Sequence, residues 1–283
     1  MAATMGTGCG VESSECTIDT VYNALQEGLC VLDGRNERGR TILCAQPVEC
    51  PAEELDSPDA FTFAVVVGSD RNSALESSLR ARWSNLKQVK YLSPSLVPSF
   101  CAAFPWVLVD AEAPAAYTGP FPNSMGDGVF LGSAWHAENP ACISTCGFGA
   151  VVNCMGRGGC PPEVAAALGV STTGFSWEDS EDCPILPDLP AAVAAIEAGR
   201  GQRAGVFVHC MVGMSRSAAA VCAWWLWKRG GEVATVHAAV KAHRCIVNVN
   251  AGFRQQLSVW RECVLAAGGP GCRLEDIKLP HSP

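Results

Sequence analysis

The sequence predicts an α/β protein in two parts: a twisted, mostly parallel sheet flanked by helices, preceded by a smaller α/β domain. Three observations point there. The chain has 283 residues, 48% of them hydrophobic, which suits two domains or one domain with a large addition. Short β-type runs alternate with helix-forming runs on both sides of the middle. Between them, around Ala111 to Asp127, the composition turns to Pro, Gly, Ala and Ser and reads as a linker. The expected boundaries are a first domain over 15–108, a linker over 109–125, a second domain over 126–268 and a tail over 269–283.

In the first part, Thr17 to Gln26 reads as a helix, followed by a strand at Leu29 to Leu32. Phe61 to Val67 is an apolar β run, Ser73 to Leu86 a helix, Val89 to Leu92 a strand and Leu96 to Phe104 a closing helix. This alternation favours a parallel sheet. In the second part, Gly128 to Ser133 and Gly147 to Cys154 are short apolar runs bounded by glycine, which predicts two core strands. A helix is expected over about Pro190 to Ala198, with Pro190 in its first turn, Gly199 just past its end, and Val193 and Ile196 facing inward. Val206 to Cys210 predicts another strand. The helix after it, Ser217 to Trp227, is apolar on nearly all sides and so belongs in the centre of the core. It is far shorter than the ~20 residues a membrane span needs. Val233 to Ala242 reads as a further helix.

The run Val206-Phe207-Val208-His209-Cys210-Met211-Val212-Gly213-Met214-Ser215-Arg216-Ser217 carries the chemistry. It sets a cysteine and an arginine at the two ends of a five-residue loop, between a strand and a helix start. Backbone N–H groups in such a loop point inward and bind anions. The same field favours a thiolate at Cys210, below the ~8.5 of a free thiol. Arg216 carries a planar fork of donors that grips two phosphate oxygens at once. Gly213 permits the turn. Ser217 is placed to hydrogen-bond the Cys210 sulfur and ease its departure in a second step. His209 ends a core strand and is expected to be a buried orienting residue rather than a proton shuttle. Met211, Val212, Met214 and Ser215 bring no charge to the loop.

This segment resembles the signature of the cysteine-dependent protein phosphatases, His-Cys-x5-Arg-Ser, and within it Gly213 to Ser217 looks most like the dual-specificity branch. The likeness extends over about residues 126–265. It includes Arg244 to Leu257, similar to the family's penultimate loop and final helix, where Asn250 matches the usual asparagine and Val249 replaces the usual proline. The resemblance implies the dual-specificity phosphatase fold and hydrolysis of phosphotyrosine and phosphoserine/threonine without metal or cofactor. It assigns Cys210 as nucleophile, Arg216 to the phosphate and the transition state, and Ser217 to thiolate departure. A carboxylic acid must also protonate the leaving oxygen. The stretch Phe175 to Asp182 offers Glu178, Asp179, Glu181 and Asp182. Asp179, 31 residues before Cys210 with Ile185 and Leu189 following, best resembles the family pattern for that general acid/base.

The first part resembles, weakly, a rhodanese-type domain, through Leu32-Asp33-Gly34-Arg35, the order of elements and Phe104-Pro105. No cysteine lies between Pro51 and Phe100, so such a domain is expected to be catalytically silent. A silent rhodanese-like domain before a dual-specificity domain is the layout of mitogen-activated protein kinase phosphatases, which implies a protein kinase as partner. This chain departs from them over Cys44 to Asp59, acidic where that family carries a basic docking cluster; only Arg35, Arg38 and Arg40 form a small basic group nearby.

The net charge of −8 argues against nucleic acid or an anionic membrane as partner and disfavours the rival reading as an RNA 5′-phosphatase. A second rival is a pseudophosphatase that captures phosphoproteins without turnover; intact Cys210, Arg216 and Asp179 oppose it. The expected partner is a phosphoprotein substrate. Met1 to Gly10 is small and uncharged and does not read as a secretory leader. With a thiolate nucleophile, this places the protein inside the cell, in the cytoplasm or nucleus, with its 16 cysteines reduced. Cys142-x3-Cys146 and Cys154-x5-Cys160 lack paired zinc spacing, so no metal site is expected. Cys154 is a redox candidate. Expected at a strand end beside the loop, it would capture an oxidised Cys210 as a disulfide.

Overall fold

The computed structural model describes residues 121–280 throughout. Before them it describes segments 14–15, 17–26, 30–33, 40–42, 46–47, 63–67, 88–104 and 108–110, with residues 75, 77, 79 and 81. The chain divides into two units, Met1–Ala115 and Ala116–Pro283.

In the first unit the elements are β1 (Ser14–Glu15), α1 (Ile18–Gln26), β2 (Cys30–Asp33), β3 (Arg40–Ile42), β4 (Gln46–Pro47), β5 (Phe63–Val67), β6 (Gln88–Leu92), α2 (Val97–Ala103) and β7 (Leu108–Asp110). Leu75, Ser77, Leu79 and Ala81 are helical, inside the helix expected over 73–86. Strands β1-β6-β5-β2-β4 form one sheet with every pairing parallel, as the alternation of runs predicts. β5 is buried from Val65 to Val67, so a continuous apolar run rather than an alternating one marks it. The α1 face closes on α2 through Tyr22, whose ring stacks on Phe104 with centroids 4.2 Å apart. Sequence reading overlooked β1, β4 and the antiparallel pair β3–β7, which are two or three residues long and carry no periodicity. The acidic stretch 44–59 lies outside the described residues except for β4.

The second unit comprises β8 (Asn123–Ser124), β9 (Val129–Ser133), α3 (Ala134–Ala137), α4 (Pro140–Cys146), β10 (Ala150–Asn153), α5 (Pro162–Leu168), β11 (Ser171–Gly174), α6 (Leu189–Arg200), β12 (Val206–Cys210), α7 (Arg216–Arg229), α8 (Val233–His243) and α9 (Ala251–Ala266). The sheet order is β11-β10-β12-β9-β8. It is parallel except for β8, which runs antiparallel to β9, so the sheet is mixed at that edge. β12 is the central strand and buried at every residue, which leaves only its carboxyl end to reach a ligand.

α7 passes through the core, with every residue from Ser217 to Trp227 buried. Its three tryptophans bury large areas, and two of them find a polar partner. Trp224 Nε1 donates to Glu197 Oε2 at 2.9 Å and Trp227 Nε1 to the Cys272 carbonyl at 2.9 Å. Arg229 covers the Trp225 ring at 4.5 Å. Glu197 also accepts from Arg200 and Lys228, and the Arg200 hydrogen bonds, ahead of the others, bring its carboxyl down to about 2.

Three expectations need correction. Gly199 does not follow the helix but lies inside α6, where a Cβ would stand 2.7 Å from that of Ala150; it is there for close helix–sheet packing. Residues 121–125, expected within a linker, enter the sheet as β8 and bury Phe121 and Met125. Residues 269–279, expected in a tail, pack back on the unit: Gly271 N–H bonds the Trp227 carbonyl at 2.7 Å, Ile277 is buried, and Leu274 and Leu279 lie against the core.

Candidate active site

The site is built at the carboxyl end of β12. Cys210 closes the strand, residues 211–215 form the loop, and Arg216 opens α7. Gly213 has φ +78, and a Cβ there would meet the Gly132 carbonyl oxygen at 2.4 Å, so both conformation and space demand glycine.

The loop is turned by its carbonyls. The Met211 carbonyl accepts from Ala134 N–H at 3.2 Å, that of Met214 from Asn248 N–H at 3.0 Å and that of Ser215 from Ala219 N–H at 2.7 Å. Val212 and Gly213 give their carbonyls to Arg244, at 3.0 Å from Nη2 and 3.1 Å from Nε. All five carbonyls therefore face outward. In a trans peptide the next N–H points the opposite way, so the amides of residues 212–216 line the inner side. That is an anion cradle made by backbone alone. Arg244 is itself anchored, since Nη1 donates to Asn123 Oδ1 at 2.6 Å. The short edge strand β8 thus braces the loop through Arg244. Replacing Arg244 with alanine is expected to weaken inhibition by vanadate or inorganic phosphate about tenfold, with lysine restoring part of it. Unchanged inhibition constants would remove Arg244 from the support of the cradle.

Cys210 lies at the floor of this loop and is fully buried. The Ser217 hydroxyl donates to its sulfur at 3.2 Å and the Gly213 amide at 3.3 Å. Burial pushes the thiol up, but the hydroxyl and amide of Ser217, the Gly213 amide and the Arg216 charge together outweigh it and leave Cys210 below the ordinary thiol range. Buried cysteines without such donors go the other way: burial raises Cys222 to about 12 and Cys154 well above the usual value. His209 is buried, stacks on Phe207 with ring centroids 5.4 Å apart, and finds no hydrogen-bond partner for its ring nitrogens among the described residues. Burial lowers it to about 4, so at neutral pH it is an uncharged packing residue. Met211, Val212 and Met214 turn their side chains outward, and Ser215 Oγ accepts the Asn250 amide at 3.3 Å.

The acidic loop reaches over the cradle. Asp179 Oδ2 stands 3.7 Å from Arg216 Nε, and Asn250 Nδ2 donates to Asp179 Oδ1 at 3.1 Å. Glu178, Glu181 and Asp182 are exposed, and none of them is paired with Arg216. The loop is held at both ends. Arg216 Nη1 donates to the Trp177 carbonyl at 3.4 Å, and Trp177 Nε1 donates to Asp188 Oδ2 at 2.8 Å. Gln256 on α9 accepts the amides of Ile185 and Leu186 at 2.8 and 2.9 Å and donates to the Cys183 carbonyl at 2.9 Å. Gly252 lets the chain pass close by, because a Cβ there would fall 1.9 Å from the Glu181 carbonyl oxygen. Asn250, which matches the usual asparagine of the resemblance, does three things: it caps α9 by accepting the Phe253 amide at 2.8 Å, meets Ser215, and holds Asp179. Cys154 follows β10, and its amide donates to the His209 carbonyl at 2.8 Å, which places it beside β12.

A low-lying thiol at a strand end, an amide-lined loop and an arginine at the next helix start define the class of cysteine-dependent phosphatases. Within that class, residues 129–263 match the dual specificity phosphatase catalytic domain. The chain is 29% identical over 147 residues to dual specificity protein phosphatase 1-A of Xenopus laevis, covering 52% of this chain and 38% of that protein. It is 27% identical over 182 residues to human dual specificity protein phosphatase 1, covering 64% and 46%. The solved structure of human DUSP28 aligns with 50% of this chain and 96% of its own, at 30% identity and a TM-score of 0.45. The chain spans less than half the length of these two curated relatives.

Proposed function

We propose that this protein hydrolyses phosphotyrosine and phosphoserine/threonine monoesters of phosphoproteins through a cysteinyl-phosphate intermediate. The observation that carries the proposal is the lowered Cys210 thiol under a loop whose five carbonyls all face away. The Cys210 sulfur attacks phosphorus while the loop amides and Arg216 hold the equatorial oxygens. Asp179 gives its proton to the departing oxygen, and Ser217 stabilises the sulfur when water later displaces it. Water loses its proton to Asp179 and phosphate leaves, which returns the starting state. The test is release of phosphate from phosphotyrosine and phosphothreonine peptides in the presence of chelator, set against Cys210→Ser. Equal release by the two proteins rejects the mechanism.

The finer readings are also ours. The parallel sheet of the first unit supports a silent rhodanese-like domain over 15–108, ahead of a linker and a catalytic domain over 126–268. A protein kinase is the proposed partner of that layout. Recovery of no kinase by the full-length Cys210→Ser protein would remove it. A thiolate nucleophile needs a reducing compartment, which supports a place in the cytoplasm or nucleus; exclusive recovery from a secreted fraction would contradict this.

Cys154 is the proposed redox partner of Cys210. Peroxide converts the Cys210 thiolate to a sulfenic acid and is itself reduced to water; the Cys154 thiol then displaces a second water and forms the disulfide. Peptide mapping after peroxide treatment is expected to recover a Cys154–Cys210 linkage, and Cys154→Ser is expected to speed irreversible loss of activity. A sulfinic acid at Cys210 with no linkage counts against the pairing.

A further inference from the structure

Among the described residues, the second unit leaves seven large apolar side chains exposed: Trp135, Met211, Val212, Met214, Ile246, Val259 and Leu265. The first five border the phosphate loop. Met211, Val212 and Met214 are in the loop, 47%, 49% and 36% exposed. Trp135, 51% exposed, follows Ala134, whose amide bonds the Met211 carbonyl. Ile246, 41% exposed, sits between Arg244, bonded to the Val212 and Gly213 carbonyls, and Asn248, bonded to that of Met214. The apolar groups are thus gathered on the loop and its two flanking segments. The acidic loop that brings Asp179 to Arg216 also bears exposed Glu178, Glu181 and Asp182.

We infer that the cleft selects singly phosphorylated peptides with large apolar residues beside the phosphorylated one, against peptides with acidic neighbours or a second phosphate. This rests on the proposed phosphoprotein hydrolysis and names its substrate class. Once a phosphate is seated over Cys210, the residues next to it have to lie on the loop rim. Leucine or phenylalanine there removes apolar surface from water on both sides. An acidic residue or second phosphate would lose hydration against methionine, valine and tryptophan, and the acidic loop beside the cradle adds like charge. Continuity of the rim with the anion cradle makes the substrate its occupant.

The experiment measures kcat/KM of the full chain for phosphopeptides with Leu and Phe, Asp and Glu, or a second phosphate beside the target residue. A simple aryl phosphate serves as reference. The apolar peptides are expected to lead by about tenfold or more. Trp135→Ala and Ile246→Glu are expected to bring that lead within about threefold while aryl phosphate turnover stays unchanged. Aryl phosphate turnover with no apolar preference, or with a preference for the doubly phosphorylated peptide, overturns the rim and leaves the hydrolysis intact. If turnover itself fails, affinities of the Cys210→Ser protein for the same peptides decide: an apolar preference in binding supports the rim, and none overturns it. Concentration-dependent dimerisation abolished by Ile246→Glu, with peptide preference unaltered, would assign the rim to a second copy and also overturn it.

Discussion

Replacement of Cys210 by serine is expected to lower turnover of an aryl phosphate by about four orders of magnitude or more, without loss of fold. The two side chains are nearly the same size, and the space is already furnished with donors from Ser217 and Gly213. What changes is the nucleophile. The field that lowers the thiol leaves a serine hydroxyl protonated. The pH profile gives a second reading. Thiolate is the reactive form of the proposed mechanism, and the Ser217 and Gly213 donors and the Arg216 charge hold Cys210 below the ordinary thiol range. Activity should therefore fall on acidification only below the ordinary thiol range. Ser217→Ala removes a hydrogen bond that stabilises the thiolate, so the acid limb should move toward higher pH. An acid limb at the ordinary thiol position in the wild type, or one unmoved in Ser217→Ala, would contradict the role given to these donors.

Asp179→Asn should divide substrates by leaving group. A general acid contributes about 10² to 10⁴ where the departing oxygen needs a proton. Phosphoserine and phosphothreonine peptides should therefore lose on that order, phosphotyrosine less, and an aryl phosphate with a strongly acidic phenol little. The geometry sets this carboxyl apart from the other three. Asp179 alone is drawn to Arg216, at 3.7 Å, and held by Asn250 at 3.1 Å, while α9 restrains the rest of its loop through Gln256. Equal losses for all leaving groups would mean that Asp179 shapes the cleft rather than donating a proton. Glu178→Gln as the damaging variant would move the role one residue.

Much of the site was legible because its parts are contiguous. Strand, loop and helix start lie within Val206 to Ser217, so anion-binding backbone, nucleophile and arginine could be read from twelve adjacent residues. The burial of α7 was legible from its lack of a polar face. The parallel sheet of the first unit and the four parallel strands of the second followed from apolar runs alternating with helices; the antiparallel β8 did not. Gly199 misled because glycine has two uses, ending a helix and admitting a close neighbour; only the position of Ala150 and Val206 tells which applies. Residues 121–125 misled for a related reason, since two residues of edge strand carry no pattern beside prolines and glycines.

The sequence by itself determined that a cysteine and an arginine stand at the two ends of a five-residue loop between strand and helix, the order of the core strands' runs and the central helix. Those properties reside in neighbouring residues and in local backbone geometry. The tertiary structure alone decided which groups make that loop work. Arg244 turns two carbonyls outward from 31 and 32 residues away, Asn123 anchors it across 121 residues, and Asn250 holds Asp179 across 71. No periodicity or spacing records such pairings, because hydrogen bonds act over about 3 Å and the chain must fold before these residues meet.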